Sequence, residues 1–527
     1  MKKMIILGVL TISLFARNYK KEFDAILKSD FNNRTPSVSI AVIQNGKIIY
    51  KNAFGMANLE LKVPATTQSV YRIGSLSKQF TGACLAMLIQ DKMISTFDKL
   101  IQYFPEFPAD VYGRITIEHM LYHTSGIRDS ETMYPLLGIA FSQWYTHDML
   151  IEMLKRQNGL SFEPGSRYEY SNSAYTLLAL IVEKVSGQKF NVFVENNIFK
   201  PLGMDHSKIQ ISDKTFISNR AAGYKPWEEN YINWMTNNQL VGHDAVYSST
   251  EDLFIWQQAL EKGRIGKYSL EVMKNPGKFN DGTKGNYGYG LVIGKYRGLD
   301  YYGHDGWYVG YKAFFMALPE KNFSIIILSN NGDLYVRKYA MKLLETYFYS
   351  YNFWKKNLEK ISNQTPEKYL NKSKFVRKSI GGFKNVESLK KEYFQSIDCE
   401  DEFLTVDELK KIKVLKTGNN SEFFEYTSYG SQHHYVAFEE IEISENFKTQ
   451  ILGQYFSSEL KKSGKIFWNG EKLVLKIGFA EYKLIQVFPD EFANEECLIQ
   501  IQKDESGDVI GFEFSTYGVR GISFKKE

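Results

Sequence analysis

Gly74-Ser75-Leu76-Ser77-Lys78-Gln79-Phe80-Thr81-Gly82-Ala83-Cys84-Leu85-Ala86-Met87-Leu88-Ile89-Gln90 is the stretch on which the reading of this chain turns. Phe80, Cys84, Met87 and Leu88 recur at helical spacing and predict a helix from about Lys78 to Gln90. Ser75 stands at its entry and Lys78 three residues on, a spacing that puts both on one helix face. A serine hydroxyl is a poor nucleophile at neutral pH and needs a base beside it. A helix N-terminus favours the negative charge that develops there. Lys78 serves as base only if burial lowers its pKa. The pattern alone is cheap. Ser-x-x-Lys begins at Ser75, Ser186, Ser388, Ser458 and Ser523, so Ser75 needs partners elsewhere.

Two later motifs supply them. Tyr170-Ser171-Asn172 follows Pro164-Gly165 and leads from a loop into a helix. A phenol held near a lysine ammonium is expected to carry a lowered pKa and to pass a proton to the leaving group. The Asn172 amide is expected to bind the substrate carbonyl. The competing structural reading is an ordinary helix cap. His304-Asp305-Gly306-Trp307 is read as the end of a strand that lines the far wall of the cleft. Gly306 admits substrate close to the backbone. The Trp307 N–H is expected to join that of Ser75 as an oxyanion hole. Alone, a histidine before a turn is more often structural.

Working outward, Val38 to Tyr50 reads as a hairpin with Asn45-Gly46 at its turn. Residues 115–190 read as helix and loop, and a helix is expected over Thr250 to Leu260 with a Thr cap. Strands return at Gly290–Gly294, Tyr301–His304, Ala313–Leu318 and Ser324–Leu328, before a helix near 333–350. Strands at both ends with helices between them predict an α+β domain, an antiparallel sheet whose first and last strands meet, flanked by helices. The expected division is a signal segment over 1–16, this domain over 17–354, a polar linker over 355–375 and an all-β unit over 376–527. The last carries turns such as Asn469-Gly470 and is expected to be a barrel or a sheet. Its spacing hints at two similar halves.

Bulk properties bound the function. With 65 basic and 60 acidic residues in 527 there is no block of charge to attract nucleic acid. Cys84, Cys399 and Cys497 are far apart; the last two are free to pair, but nothing demands it. No Cys/His spacing predicts a metal, and no cofactor is expected. His119 and His123 are assigned to a helix and the loop below the cleft. Lys2 and Lys3 followed by apolar Met4 to Ala16 read as a signal for export to the periplasm or outside the cell. The alternative is an uncleaved N-terminal anchor. No later stretch is expected to insert in a membrane.

The three ordered motifs resemble the active site of the β-lactamase and penicillin-binding-protein plan. Ile115-Thr-Ile-Glu-His-Met-Leu-Tyr-His-Thr-Ser-Gly126, Pro201-Leu-Gly-Met204, Tyr287-Gly-Tyr-Gly290 and Leu328-Ser-Asn330 extend the likeness over residues 35–335. The chain is similar to class C β-lactamases, D-aminopeptidases, DD-peptidases and serine esterases of that fold. The resemblance implies acyl-enzyme chemistry without metal, with Ser75, Lys78 and Tyr170 catalytic and Asn172, His304, Gly306 and Trp307 binding substrate. The C-terminal β unit is similar to the barrel of some D-aminopeptidase-like members.

One position departs from the plan. Members acting on penicillins or D-Ala-D-Ala usually carry Lys-Thr-Gly where this chain has His304-Asp305-Gly306. A carboxylate held ~4 Å from an Asp305 anion would be repelled by about 1–4 kcal/mol. The expectation is a small ester, amide or short-peptide substrate and weak or no β-lactam turnover. The alternatives are a catalytically silent binding or sensor protein on this scaffold, a purely structural envelope protein, and a true β-lactamase or DD-peptidase. Oligomeric state is left open.

Overall fold

The structure is a computed structural model that describes residues 19–140, 143–296, 299–348, 442–494 and 496–527, together with the backbone of strands between 375 and 438. The expected signal segment, and the expected linker up to residue 374, lie outside the described residues.

A six-stranded antiparallel sheet organises the described residues from 19 to 348. Its strands are β1 (Val38–Gln44), β2 (Lys47–Phe54), β3 (Val292–Tyr296), β4 (Leu299–Tyr308), β5 (Tyr311–Leu318) and β6 (Phe323–Ser329), in the order β3-β4-β5-β6-β1-β2. The first strand pairs with the last, Val38 opposite Ser329 and Gln44 opposite Phe323. The β1–β2 turn has Asn45 at φ +52° and Gly46 at φ +69°. Both values belong to the turn that suits the right-handed twist of a hairpin.

Alternation along the strands builds two cores. Ile40 and Val42 of β1, with Phe314 and Met316 of β5, face α1 (Tyr19–Lys28) and α6 (Val336–Phe348). Ala41 and Ile43, with Ala313 and Phe315, face the helical insertion. That insertion holds α2 (Lys78–Gln90), α3 (Ser130–Leu136), α4 (Asn172–Ser186) and α5 (Thr250–Lys262). Helix α2 is buried nearly all round, as expected of a helix between a sheet and other helices. The predicted Thr cap of α5 is one residue off. Ser249 caps the helix, its side chain accepting the Asp252 N–H, while Thr250 Oγ1 bonds to Ser39 and to the Thr67 carbonyl.

The C-terminal part is not purely β as expected: in the described residues it is β-strands with one short helix, Glu445–Ile451, just ahead of the barrel. An antiparallel seven-stranded sheet has Phe375–Lys378 paired directly with Ser431–Phe438. Eight further strands, from Gly453–Ser457 to Val519–Lys526, close into a barrel. The two halves therefore differ in architecture. Tyr455, Ile466, Leu475, Phe492, Phe512, Phe514 and Phe524 are among its fully buried side chains, so a packed core occupies this barrel. Cys497 is buried there with a free thiol, and Cys399 lies outside the described residues.

Candidate active site

Ser75 sits in a 3-10 turn, Gly74–Ser77, and α2 proper begins only at Lys78. The tight turn still brings the pair together: Lys78 Nζ is 3.1 Å from Ser75 Oγ. The same nitrogen donates to Asn172 Oδ1 at 2.8 Å and to the His243 carbonyl at 2.9 Å. Lys78 is fully buried. Burial pulls its pKa down to about 7, although the Asp244, Asp129 and Glu131 carboxylates oppose the shift. The Tyr170 ring faces the nitrogen, with its centroid 4.6 Å away.

The other wall is β4. Its first half pairs with β3 from Gly303 to Leu299, and its second half, His304 to Tyr308, turns that edge toward the Ser75 turn. The approach is too close for side chains. A Cβ on Gly306 would stand 2.0 Å from the Ile73 carbonyl oxygen, and one on Gly74 2.6 Å from the Trp307 nitrogen. The Trp307 nitrogen thus lies against the Gly74–Ser75 turn. The Trp307 ring remains partly exposed and anchors its Nε1–H on the Gly332 carbonyl at 3.1 Å.

A model of the Beta-lactamase family matches residues 19–345, most of the chain. The chain belongs to the beta-lactamase family. It is therefore a hydrolase of that family. It is 30% identical over 345 residues to penicillin-binding protein 4* of Bacillus subtilis (strain 168), covering 60% of this chain and 73% of that protein. It is 25% identical over 306 residues to the D-aminopeptidase of Gluconobacter oxydans (strain 621H), covering 56% of each, so it spans just over half of that relative. The fold is shared with D-amino acid amidase from Ochrobactrum anthropi SV3, with TM-score 0.54 and 22% identity over 63% of this chain and 98% of that one. The octameric penicillin-binding protein homologue from Pyrococcus abyssi shares it too, with TM-score 0.54 and 23% identity over 88% of this chain and 98% of that one.

Within this beta-lactamase fold the structure brings Ser75, Lys78, Tyr170, Asn172, His304, Gly306 and Trp307 to one cleft, with several departures from expectation. The Tyr170 pKa is raised well above the usual phenol range, because burial penalises a phenolate more than the neighbouring Ser75 hydroxyl helps it. Tyr170 is therefore a neutral hydroxyl at pH 7. It stands beside Ser75 outside regular hydrogen-bond geometry. The Asn172 oxygen is taken by Lys78, so this side chain holds the base as well as facing the cleft. Asn172 is also the first residue of α4, and Ser171 caps it.

The charge argument at Asp305 does not hold. His304 and Gly306 share one face of β4, so Asp305 faces the other. There it pairs with Arg337 of α6. His304 lies inside the strand rather than at its end, with Nε2 2.9 Å from the Tyr287 hydroxyl. Burial lowers its pKa to about 4, so it is neutral at pH 7.

Several residues with a part in the site were not legible as such in the sequence. His123, at φ +57°, packs its ring against that of Tyr170, with centroids 4.2 Å apart and planes tilted by 33°, and accepts the Ser171 N–H at Nδ1, 3.1 Å. His243 supplies a carbonyl to Lys78, and its ring bonds to Thr176 Oγ1 at 2.9 Å. Asp129 accepts the Asn172 N–H at 2.6 Å. The sequence placed His123 only in the loop below the cleft, and no local pattern marked the others. Among the described residues no cluster of His, Cys, Asp or Glu is arranged to hold a metal, and no helix is long and apolar enough to cross a membrane.

Proposed function

We propose that this chain is a serine hydrolase that forms an acyl-enzyme at Ser75 and cleaves a small amide, short peptide or ester, with weak or no β-lactam turnover. The observation that carries the proposal is the buried Lys78 amine, 3.1 Å from Ser75 Oγ, with a pKa near 7. About half of such lysines are neutral at pH 7, so a base is available without a metal or a histidine.

Neutral Lys78 takes the Ser75 proton as Oγ attacks the carbonyl. The Ser75 and Trp307 N–H groups receive the oxyanion. As the intermediate collapses, the Lys78 ammonium returns the proton to the leaving group through the Tyr170 hydroxyl, which donates one proton and accepts another. Water then attacks the acyl-enzyme with the same base, freeing the acid and restoring Ser75.

The D-aminopeptidase relative favours an amide bond. The third motif brings no cation into the cleft, since His304 is neutral, so a substrate carboxylate gains no counter-charge there. The test is hydrolysis of D-amino-acid amides, small esters and benzylpenicillin by wild type and Ser75→Ala. Turnover of the first two classes by wild type alone supports the reading. Equal rates for the two proteins refute it, and fast penicillin turnover transfers the assignment to a β-lactamase. The Lys2-Lys3 start and the apolar Met4 to Ala16 run support an exported enzyme. Sequencing the N-terminus of protein recovered from its native cell tests this.

A further inference from the structure

The C-terminal barrel meets the catalytic domain at several segments, among them Pro135–Gly138 and Asn158, and two of them border the acid–base half of the site. One is the entry to α3, residues 128–130. The other is Glu169, next to Tyr170. The Arg128 guanidinium is buried in the interface. It pairs with Glu459 of the barrel, donates to Gln157 Oε1 at 2.6 Å, and donates to the carbonyls of Arg520 and Gly521 at 3.0 and 3.2 Å. Arg520 pairs in turn with Glu169, and both side chains are about nine-tenths buried. The tip of the last barrel hairpin, Tyr517-Gly518, reaches farthest. The Gly518 carbonyl accepts the Asp129 N–H at 2.8 Å. Gly518 has φ +69°, and a Cβ there would stand 2.8 Å from the Asp129 Cβ, so the contact is backbone on backbone.

From that contact a chain of hydrogen bonds runs to the nucleophile. Asp129 Oδ1 accepts the Asn172 N–H at 2.6 Å. Asn172 Oδ1 accepts from Lys78 Nζ, and Lys78 Nζ donates to Ser75 Oγ. The two segments are also tied to each other. Ser173 Oγ donates to the Arg128 carbonyl and accepts the Ser130 N–H, each at 2.8 Å. We infer that Asp129 is a positioning residue, held by the barrel hairpin through Gly518 and Arg520, and that barrel docking sets the place of Asn172 and Lys78 and hence the reactivity of Ser75. This rests on the proposed role of Ser75. It gives the barrel, whose interior is packed, a task in catalysis.

The experiment measures the rate at which a fluorophosphonate labels Ser75 in full-length protein, per folded molecule by circular dichroism. The variants are Asp129→Asn, Asp129→Ala, Gly518→Ala, Arg520→Ala, and the exchange of Glu169→Arg with Arg520→Glu. Asparagine keeps one acceptor oxygen for the Asn172 N–H but not the second oxygen that takes the Thr132 N–H at the start of α3, so Asp129→Asn is expected to lose less than tenfold. Asp129→Ala, Gly518→Ala and Arg520→Ala are expected to lose tenfold or more at unchanged probe affinity. The exchanged pair is expected to recover most of the rate lost in Arg520→Ala. Labelling of wild type with Arg520→Ala and Gly518→Ala equally fast overturns the inference, as does equal behaviour of Asp129→Asn and Asp129→Ala. Failure to label the wild type strikes instead at the assignment of Ser75, which separates the two claims.

Discussion

Acidification is the perturbation that probes the base most directly. Lys78 has a pKa near 7, against 10.5 for a free lysine. At pH 7 about half of it is neutral, whereas a lysine at 10.5 would be neutral in about one molecule in 3,000. Burial thus supplies about a thousandfold in available base. The rate of Ser75 acylation is expected to be flat above pH 8, to pass its midpoint near 7, and to fall about tenfold per unit below 6. His123, His243 and His304 are all depressed well below this window by burial, so they do not produce the limb. Asp129, raised to about 6, and Glu131, raised to about 7, titrate within it, so the observed midpoint belongs to the cluster. Glu131→Gln separates the contributions. The Glu131 carboxylate favours the Lys78 ammonium, so removing it moves the midpoint down, not up. The assay is the second-order rate of fluorophosphonate labelling from pH 5 to 10. A midpoint above 9, or an upward shift in Glu131→Gln, would refute the reasoning.

Other expectations follow from single contacts. Tyr170→Phe keeps the ring over Lys78 and removes the hydroxyl. Amide turnover is expected to fall roughly a hundredfold or more with the acid limb unmoved, and a shifted limb would contradict a neutral Tyr170. Arg128→Ala strands the Glu459 carboxylate and two barrel carbonyls in the interface. Denaturant titration is expected to show a loss of about 3–5 kcal/mol, and a loss below about 1 would mean water reaches the site. Asp305→Asn changes a charge that faces Arg337 rather than the cleft. Its kcat/KM on a carboxylate-bearing β-lactam is expected within about threefold of wild type, and a large gain would return Asp305 to the cleft.

Much of the frame was legible because it depends on local chemistry. Asn45-Gly46 names its turn, and the apolar spacing of Phe80, Cys84, Met87 and Leu88 marks α2 at both ends, Lys78 and Gln90. The motifs at Ser75, Tyr170 and His304 name residues that meet in one cleft. Asp305 was legible too, because strand alternation sends it away from His304; the misreading came from aligning motifs instead of counting faces. The sign of the Tyr170 shift was not legible. Proximity to Lys78 can be read from motifs, but desolvation depends also on His123 and Tyr287, which arrive from other segments. The role of Asp129 was hidden for the same reason. Its partners, Asn172 and Gly518, are 43 and 389 residues away, and no periodicity reaches so far.

The central claim is that Ser75 is an activated nucleophile. Intact mass after incubation with a fluorophosphonate, measured side by side on wild type and Ser75→Ala, tests it most directly. The account predicts one adduct on the wild type, located at Ser75, and none on the variant. An adduct of equal extent on both proteins, or none on either, would contradict it.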